Sequence, residues 1–239
     1  MATLDPATQG PDRRAGVSRR RLIVVGGGEH AAVVIDAARS DPDAWEPRGF
    51  TDPSPTPDAS SRLGLDHLGE DGAVAARLAA DGSDASWLVL GFGSPVNARR
   101  DAVRHFPDSA RWATLVHRVA WVSPSAALGE GAVVLAGAVV NAGAAIGRHV
   151  IVNTRAVIEH DVRIGDFAHV APGAVIGGGA TVGADAFIGL GGLVRDHVTI
   201  GAGATVGMGA VVVDDVPAGA TVAGSPARPL DSVDGAANR

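Results

Sequence analysis

A six-residue period governs the second half of this chain. Aliphatic residues recur at every sixth position from Val122 to Val212, over sixteen consecutive repeats. The residue two positions before each of them, from Ala126 to Ala210, is Ala, Val or Gly, and a glycine often follows the aliphatic residue directly. A period of six matches neither an α-helix nor a hairpin sheet, and it is typical of a parallel β-helix in which three repeats close one triangular coil. The pattern predicts about five stacked coils around a narrow aliphatic interior, with glycine relieving the corners.

The residues before this tract alternate between strand and helix patterns. Apolar strands are predicted at 21–25, 48–51, 86–93 and 111–116, with helical patterns between them and a loop at 51–61. Such alternation favours a small parallel α/β sheet. We therefore predict an α/β domain at 21–116 and an all-β domain at 117–230. Polar tails at 1–20 and 231–239 are predicted to be disordered.

Composition excludes several kinds of chemistry. The chain has no cysteine, and every basic residue is an arginine, so a cysteine nucleophile, thiolate metal sites and an enzyme Schiff base are ruled out. The net charge is −6 with dispersed arginines, which argues against a nucleic-acid-binding surface. No apolar run is long enough to span a membrane or to form a signal peptide, so we expect no membrane association and a cytoplasmic protein.

Two histidines interrupt the apolar tract in "IVNTRAVIEHDVRIGDFAHV", residues 151–170. The six-residue register puts His160 at a corner between Glu159 and Asp161, and His169 on the outer side of a strand. Both imidazoles therefore point away from the interior, either as solvated surface groups or as part of a site. One coil takes eighteen residues, so Gly178 lies one coil beyond His160, about 4.8 Å away.

The chain resembles the NeuD/PglD-like sugar acetyltransferases, which belong to the hexapeptide-repeat acyltransferases. The resemblance spans residues 21 to 230 and rests on "VVGGGEHAAVVIDAA", "LVLGFGSPVNARR", "IVNTRAVIEHDVRIGDFAHVAPGAVIGGG" and "VAGSPARPL". It implies a Rossmann-like, nucleotide-sugar-binding first domain and a left-handed β-helix. It also implies a homotrimer with active sites between subunits, acetyl-CoA as co-substrate and no metal.

The resemblance implies a mechanism without a covalent enzyme intermediate. His160 would take the proton of the acceptor amine as that amine attacks acetyl-CoA, and the Gly178 N–H would stabilise the oxyanion. Asp161 would orient His160, with Glu159 as the alternative, because one residue decides which acid faces the ring. Asn153 and His169 would help to position the base and the acyl group.

Two further groups of residues are candidates for substrate contacts. In the acetyl-CoA groove the resemblance implies His169 and Asn153, together with Gly191, Gly224, Pro226 and Arg228. In the nucleotide-sugar site it implies Gly26, Gly27, Gly28, His30 and Asp52; a tight strand-to-helix turn explains the glycines equally well. The chain departs from the family pattern at Glu29, where glycine is usual, and at Ala32, where a basic residue is common.

The predicted function is N-acetylation of an amino group on a nucleotide-linked sugar. The alternatives are O-acetylation of a sugar of the sialic-acid type, a metal-dependent lyase resembling the γ-class carbonic anhydrases, and a scaffold without activity. The lyase needs three imidazoles that converge on zinc. The chain offers four candidate histidines in the repeat tract: His149, His160, His169 and His197.

Overall fold

The fold was analysed in a computed structural model that describes residues 19–80, 86–94 and 96–230. Of the tails predicted to be disordered, residues 1–18 and 231–239 lie outside the described residues. None of the helices in the described ranges has the length and hydropathy of a membrane-spanning segment.

The first part of the chain is a four-stranded parallel sheet with helices on both faces. The strand order is β2-β1-β3-β4. The elements in chain order are β1 (Arg20–Val25), α1 (Glu29–Arg39), β2 (Trp45–Thr51), α2 (Ala59–Leu63), α3 (Asp71–Ala80), β3 (Trp87–Leu90), α4 (Val96–Arg104) and β4 (Arg111–Trp112).

Alternate side chains of β1 enter two different cores. Leu22 and Val24 pack with the buried side of α1, while Ile23 and Val25 pack with α3 and α4. The short helix α2 lies at the end of the segment for which the sequence predicts a loop. It ends at Gly64, which has a left-handed φ of 59°.

The second part is a β-helix made of very short parallel strands. The fifteen strands β5–β19 make five coils of three strands each, and β20, β21 and the bridge of Val216 to Ile200 make the next coil. The strands are β5 (Leu115–Val116), β6 (Trp121–Val122), β7 (Ala127–Leu128), β8 (Val133–Val134), β9 (Val139–Val140), β10 (Ala145–Ile146), β11 (Ile151–Val152), β12 (Val157–Ile158), β13 (Arg163–Ile164), β14 (His169–Val170), β15 (Val175–Ile176), β16 (Thr181–Val182), β17 (Phe187–Ile188), β18 (Leu193–Val194), β19 (Thr199–Ile200), β20 (Thr205–Val206), β21 (Val211–Val212), β22 (Thr221–Ala223) and β23 (Arg228–Pro229).

The strands of successive coils stack into three faces. Face 1 contains β5, β8, β11, β14, β17, β20 and β22, with β23 paired antiparallel at its end. Face 2 contains β6, β9, β12, β15, β18 and β21, and face 3 contains β7, β10, β13, β16 and β19. In β6 to β22 the second residue of each strand points inward. These residues form one continuous core with the small residues that precede each strand, as the six-residue pattern predicts.

Glycine relieves many of the corners, but the glycines that directly follow the inward aliphatic residues are not the ones with the left-handed conformation. The positive-φ position of each corner lies two residues later, for example at Gly179 and Gly191. Gly165 and Gly177 are instead needed because the next coil approaches closely. A Cβ on Gly165 would lie 2.5 Å from Ala184 N, and one on Gly177 would lie 2.5 Å from Asp196 N.

The α/β part packs against the outer side of face 1. The segment predicted as one strand at 111–116 divides: β4 joins the α/β sheet, while β5 pairs with β8 of the β-helix. Arg99 of α4 is fully buried and donates to the carbonyl oxygens of Phe167 (2.9 Å) and His149. Its neighbour Arg100 forms a bidentate pair with Asp185, at 2.7 and 2.9 Å.

Candidate active site

The His160 side chain lies at an outer corner of the β-helix, between faces 2 and 3. β12 ends at Ile158 and β13 begins at Arg163, so residues 159–162 form this corner. The imidazole is 61% exposed, and its Nδ1 lies 3.0 Å from Asp161 Oδ2. Because an ionised carboxylate only accepts hydrogen bonds, Nδ1 carries the hydrogen and Nε2 keeps a free lone pair. The pair thus leaves Nε2 available as a proton acceptor.

Asp161, not Glu159, faces the imidazole. Glu159 Oε2 accepts a hydrogen bond from Asn141 Nδ2 of the preceding coil at 3.1 Å. Asp161 has a left-handed φ of 59°, which turns its carboxylate back toward His160. Aspartate adopts this conformation more readily than most residues. The partner of His160 is therefore fixed by the corner conformation.

Gly178 lies directly against the His160 ring on the next coil. A Cβ on Gly178 would stand 2.6 Å from His160 Nε2 and 2.7 Å from Cε1, so only glycine leaves space for the imidazole here. Within the described residues no group accepts a hydrogen bond from the Gly178 N–H. A free amide donor beside a proton acceptor is the arrangement that an oxyanion-forming reaction needs.

Asn153 and His169 form a second group, which is buried beneath the α/β part. Asn153 Nδ2 and His169 Nε2 are 3.1 Å apart. His169 points out of the prism, as the register predicts, yet it is only 8% exposed because the first domain covers face 1. His30, at the start of α1, lies above it, with the two ring centroids 6.3 Å apart.

Burial keeps these two histidines neutral. Desolvation, and then the charge on Arg99, lowers the pKa of His169 to about 4. Desolvation and Arg99 also lower the pKa of His30. Among the described residues, His30 Nε2 and His169 Nδ1 have no hydrogen-bond partner of good geometry, although His169 Nδ1 lies toward Gly93. His30 Nε2 is thus a buried polar atom at the domain boundary that lacks a partner among the described residues.

The two groups lie on opposite sides of one prism. In a triangular coil the corner between faces 2 and 3 is opposite face 1, where His169 lies. One chain therefore does not bring His160 and His169 into a single site.

In the glycine loop between β1 and α1, close packing requires two of the glycines, and the third is open to solvent. Gly26 has a φ of 98°, and a Cβ there would lie 2.6 Å from Phe92 Cδ1. A Cβ on Gly27 would lie 2.5 Å from Phe50 Cε2, whereas Gly28 is exposed with no atom within 4 Å of its Cβ position. The tight turn explains Gly26 and Gly27, and it leaves Gly28 open at the amino end of α1.

Asp52 is already engaged by the backbone. Its Oδ2 accepts from the Gly27 N–H at 2.8 Å, and its Oδ1 accepts from the Ser54 N–H at 2.8 Å. It holds the glycine loop in place, and direct contact of its carboxylate with a nucleotide stays a prediction. Arg62 of α2 braces the same loop by donating to Gly27 O (2.7 Å) and Gly28 O (3.1 Å).

Some residues are predicted to contact the part of acetyl-CoA that is remote from the thioester. They lie at the opposite edge of face 2 from His160. Gly191 is at the corner between faces 1 and 2. Gly224 O accepts from Val211 N on face 2, and the Ser225–Pro226 bond is cis. Arg228 is exposed on β23, where its side chain donates only to Ala227 O within the described residues.

Comparisons with known proteins agree with this architecture. The family model for bacterial transferase hexapeptides (six repeats) matches residues 155–190. The acetyltransferase domain of PglB from Neisseria gonorrhoeae FA1090, solved with acetyl coenzyme A, is 35% identical with a TM-score of 0.80, over 89% of this chain and 100% of that one. No curated protein sequence gives a significant match.

Two other solved structures have the same fold. PerB from Caulobacter crescentus, solved with CoA and GDP-perosamine, is 35% identical with a TM-score of 0.76, over 91% of this chain and 100% of that one. WeeI from Acinetobacter baumannii AYE, at 23% identity and a TM-score of 0.73 over 89% and 100%, shows the fold alone. The chain belongs to the NeuD/PglD-like sugar acetyltransferases. It is an acyltransferase, built from a small Rossmann-like α/β domain and a left-handed β-helix.

The acetyltransferase does not gather its repeat-tract histidines into a metal site. His149 is buried at the corner between faces 3 and 1, stacked on Phe167 with ring centroids 4.8 Å apart. His160 and His197 lie at the corner between faces 2 and 3, and His169 lies on face 1. The described residues contain no group of three or more histidine, aspartate or glutamate side chains placed to bind a metal ion.

Sequence reasoning missed three contributors to the acetyltransferase site. Asn141 precedes Glu159 by one coil, so the eighteen-residue spacing is a signal that could have found it. Gly93 could be found only from the structure: a Cβ there would lie 2.9 Å from His169 Cε1, and nothing in the sequence relates these two segments. Arg62 directly follows the segment predicted as a loop, 51–61, and nothing in the sequence relates it to the glycine loop.

Proposed function

We propose that this acyltransferase transfers the acetyl group of acetyl-CoA to an amino group on a nucleotide-linked sugar. The observation that carries the proposal is the His160–Asp161 pair beside the free Gly178 N–H. Two relatives with 35% identity support the choice of substrates: one is solved with acetyl coenzyme A, and the other with CoA and GDP-perosamine.

In the proposed reaction the acceptor amine attacks the thioester carbonyl directly. His160 Nε2 takes the proton that the amine loses, while Asp161 holds the Nδ1–H and stabilises the imidazolium that forms. The Gly178 N–H donates to the oxyanion, and the thiol of CoA leaves as the carbonyl re-forms. No covalent enzyme intermediate is needed.

We infer that the complete site lies between two chains of a homotrimer. Face 2 separates the edge that carries His160 from the edge that carries Asn153, Gly191 and, beyond it, His169. The outward residues of face 2 form an apolar row that includes exposed Trp121 (58%) and Leu193 (44%). A cyclic assembly that covers this row would join the His160 edge of one chain to the Asn153 edge of the next.

The sugar nucleotide is proposed to enter beside the glycine loop. Gly28 and His30 face this region at the amino end of α1, where free backbone N–H groups favour an anion such as a diphosphate. Asn153 and the unpaired nitrogens of His30 and His169 would then contact the sugar or the acyl group.

An assay of thiol release tests the proposal. Acetyl-CoA is supplied with UDP-, GDP- or dTDP-linked amino sugars, and the product is examined for an amide. Release with at least one amino sugar is expected, whereas activity only on sugars without an amino group would show O-acetylation and overturn the proposal.

A further inference from the structure

A second histidine, His197, shares the corner column of the proposed base. It lies one coil beyond Gly179, at the corner that follows β18, and its side chain is exposed. A Cβ on Gly179 would lie 2.5 Å from His197 Nδ1, just as one on Gly178 would lie 2.6 Å from His160 Nε2. The His160 ring, from the preceding coil, thus covers Gly178. The His197 ring, from the following coil, covers Gly179.

The backbone locks both histidines around one peptide group. Gly179 N–H donates to His160 O at 2.9 Å, and His197 N–H donates to Gly178 O at 2.9 Å. The backbone positions of the two histidines are therefore fixed on either side of this peptide group. In the described part of the chain, the His197 ring has no hydrogen bond or ion pair of its own.

The conformation of His197 points to a role. Only six described residues other than glycine have a positive φ, and His197 is one, at 59°. Four of the others have evident contacts: His149, Phe167 and Asp185 meet the arginines of α4, and Asp161 holds His160. Glycine takes this left-handed corner position in many of the other repeats, so a residue other than glycine here calls for an explanation.

We propose that His197 is a second catalytic residue, which donates a proton to the thioester sulfur as acetyl-CoA is cleaved. This rests on the proposed acetyl transfer. The amine lies on the His160 side of the carbonyl, because His160 must reach its proton. In the proposed groove between two chains the rest of CoA runs toward the later coils, so the sulfur faces His197.

The step balances in protons and electrons. The amine nitrogen forms a bond to the carbonyl carbon, and its proton moves to His160 Nε2. The oxyanion collapses, the C–S bond breaks with its electron pair on sulfur, and His197 gives sulfur its proton. His160 then loses a proton to water and His197 regains one.

Charged groups near His197 belong to three coils. Arg195 and Asp196 share its corner, and His160 and Asp161 lie on the coil before Gly178. Asp214 and Asp215 follow on the last coil, where Asp215 Oδ1 accepts from the Thr199 N–H at 2.7 Å.

The test compares wild type with His197→Asn. Asparagine tolerates the left-handed backbone, but its amide cannot act as the proton donor that an imidazolium can be. With acetyl-CoA, kcat should fall about 100-fold and the alkaline decline of the pH–rate profile should disappear, while the Kd for CoA is unchanged. With S-phenyl thioacetate, whose thiol is a better leaving group, the variant should approach wild type. His105→Asn, on the distant surface of the α/β part, is the matched control and should behave as wild type.

Unchanged kcat with acetyl-CoA, or an equal loss with both donors, would overturn the role of His197. Failure of the proposed function is distinguishable, since wild type would then transfer no acetyl group to any amino sugar. His160→Asn separates the two as well, because it should be inactive with both donors.

Discussion

At the scale of single residues, the proposed base His160 is held by two neighbours at its corner. Asp161 holds Nδ1, and Gly178 leaves space for the ring beside a free N–H. Glu159 has the same charge and is equally close in sequence, but Asn141 holds it.

Mutation of the two acids that flank His160 tests whether only one of them supports the base. His160→Asn should lower kcat by about 10²- to 10⁴-fold, since it removes the proton acceptor. Asp161→Asn should also lower kcat, because its amide can hold the wrong tautomer. Glu159→Gln is the matched control and should stay near wild type. Equal losses in the two acid variants, measured by initial rates of thiol release, would contradict the assignment.

Gly178 gives a second prediction at this scale. Gly178→Ala should lower kcat strongly while the fold survives, because the new Cβ would displace the His160 ring that lies 2.6 Å away. Gly72→Ala, in α3 with nothing within 4 Å, is the control for the same substitution. A Gly178→Ala enzyme of normal kcat would show that the ring position does not matter.

At the scale of secondary-structure elements, α4 fixes the α/β part to the β-helix. Arg99 satisfies two buried carbonyl oxygens that belong to adjacent corners of the repeat. Burial lowers its pKa to about 10, which leaves it charged at neutral pH.

Replacing this contact should destabilise the protein. Arg99→Met keeps much of the volume and leaves two buried acceptors unpaired, which costs about 2 to 5 kcal/mol in the free energy of unfolding. Arg104→Met, which removes an exposed pair with Asp101, should cost less than about 1 kcal/mol. Urea denaturation of both variants checks this, and equal midpoints would refute the role of α4.

The buried histidines make stability depend on pH. Desolvation, then Arg148 and Arg99, lowers the pKa of His149 to about 4, and that of His169 is lowered to about 4. Below the unfolded value of about 6.5, the unfolded chain binds protons that the folded chain does not. The free energy of unfolding should therefore fall as pH drops from about 6.5 to about 4, by about 3 kcal/mol per histidine.

His149→Asn isolates one of these contributions. The variant should be less stable at neutral pH, since it loses packing on Phe167, but its stability should decline less steeply with acid. His105→Asn should keep the wild-type slope. Thermal denaturation between pH 7 and pH 5 measures the slopes, and an unchanged slope in His149→Asn would contradict the neutral state of the buried ring.

The sequence predicts elements well where one physical pattern dominates. The six-residue period identifies the inward residues, because a narrow prism admits only small and aliphatic side chains. The period extends back to Val116, six residues before Val122, but the apolar run at 111–116 also fits a strand of the first domain, so the sequence leaves this boundary open. It also cannot show that His169 is buried, because its cover comes from residues more than sixty positions away.

At the scale of the whole molecule, the His160 corner and the Asn153 corner lie on opposite edges of the apolar face 2, and we propose that they complete one site between chains. The residues of face 2 could be read from the eighteen-residue spacing of Val139, Val157, Val175 and Leu193. The sequence alone leaves open whether His160 and His169 act in one chain, because handedness and the placement of the first domain decide which edges meet.

Subunit complementation tests the central claim most directly. His160→Asn and His169→Asn are each expected to be inactive and trimeric. Co-expressed in equal amounts, they should assemble at random, so that one site in each mixed trimer, and about one quarter of all sites, combines an intact His160 with an intact His169 from the neighbouring chain. Thiol release at about a quarter of the wild-type rate is the predicted result. Mixed trimers without activity would contradict a site shared between chains.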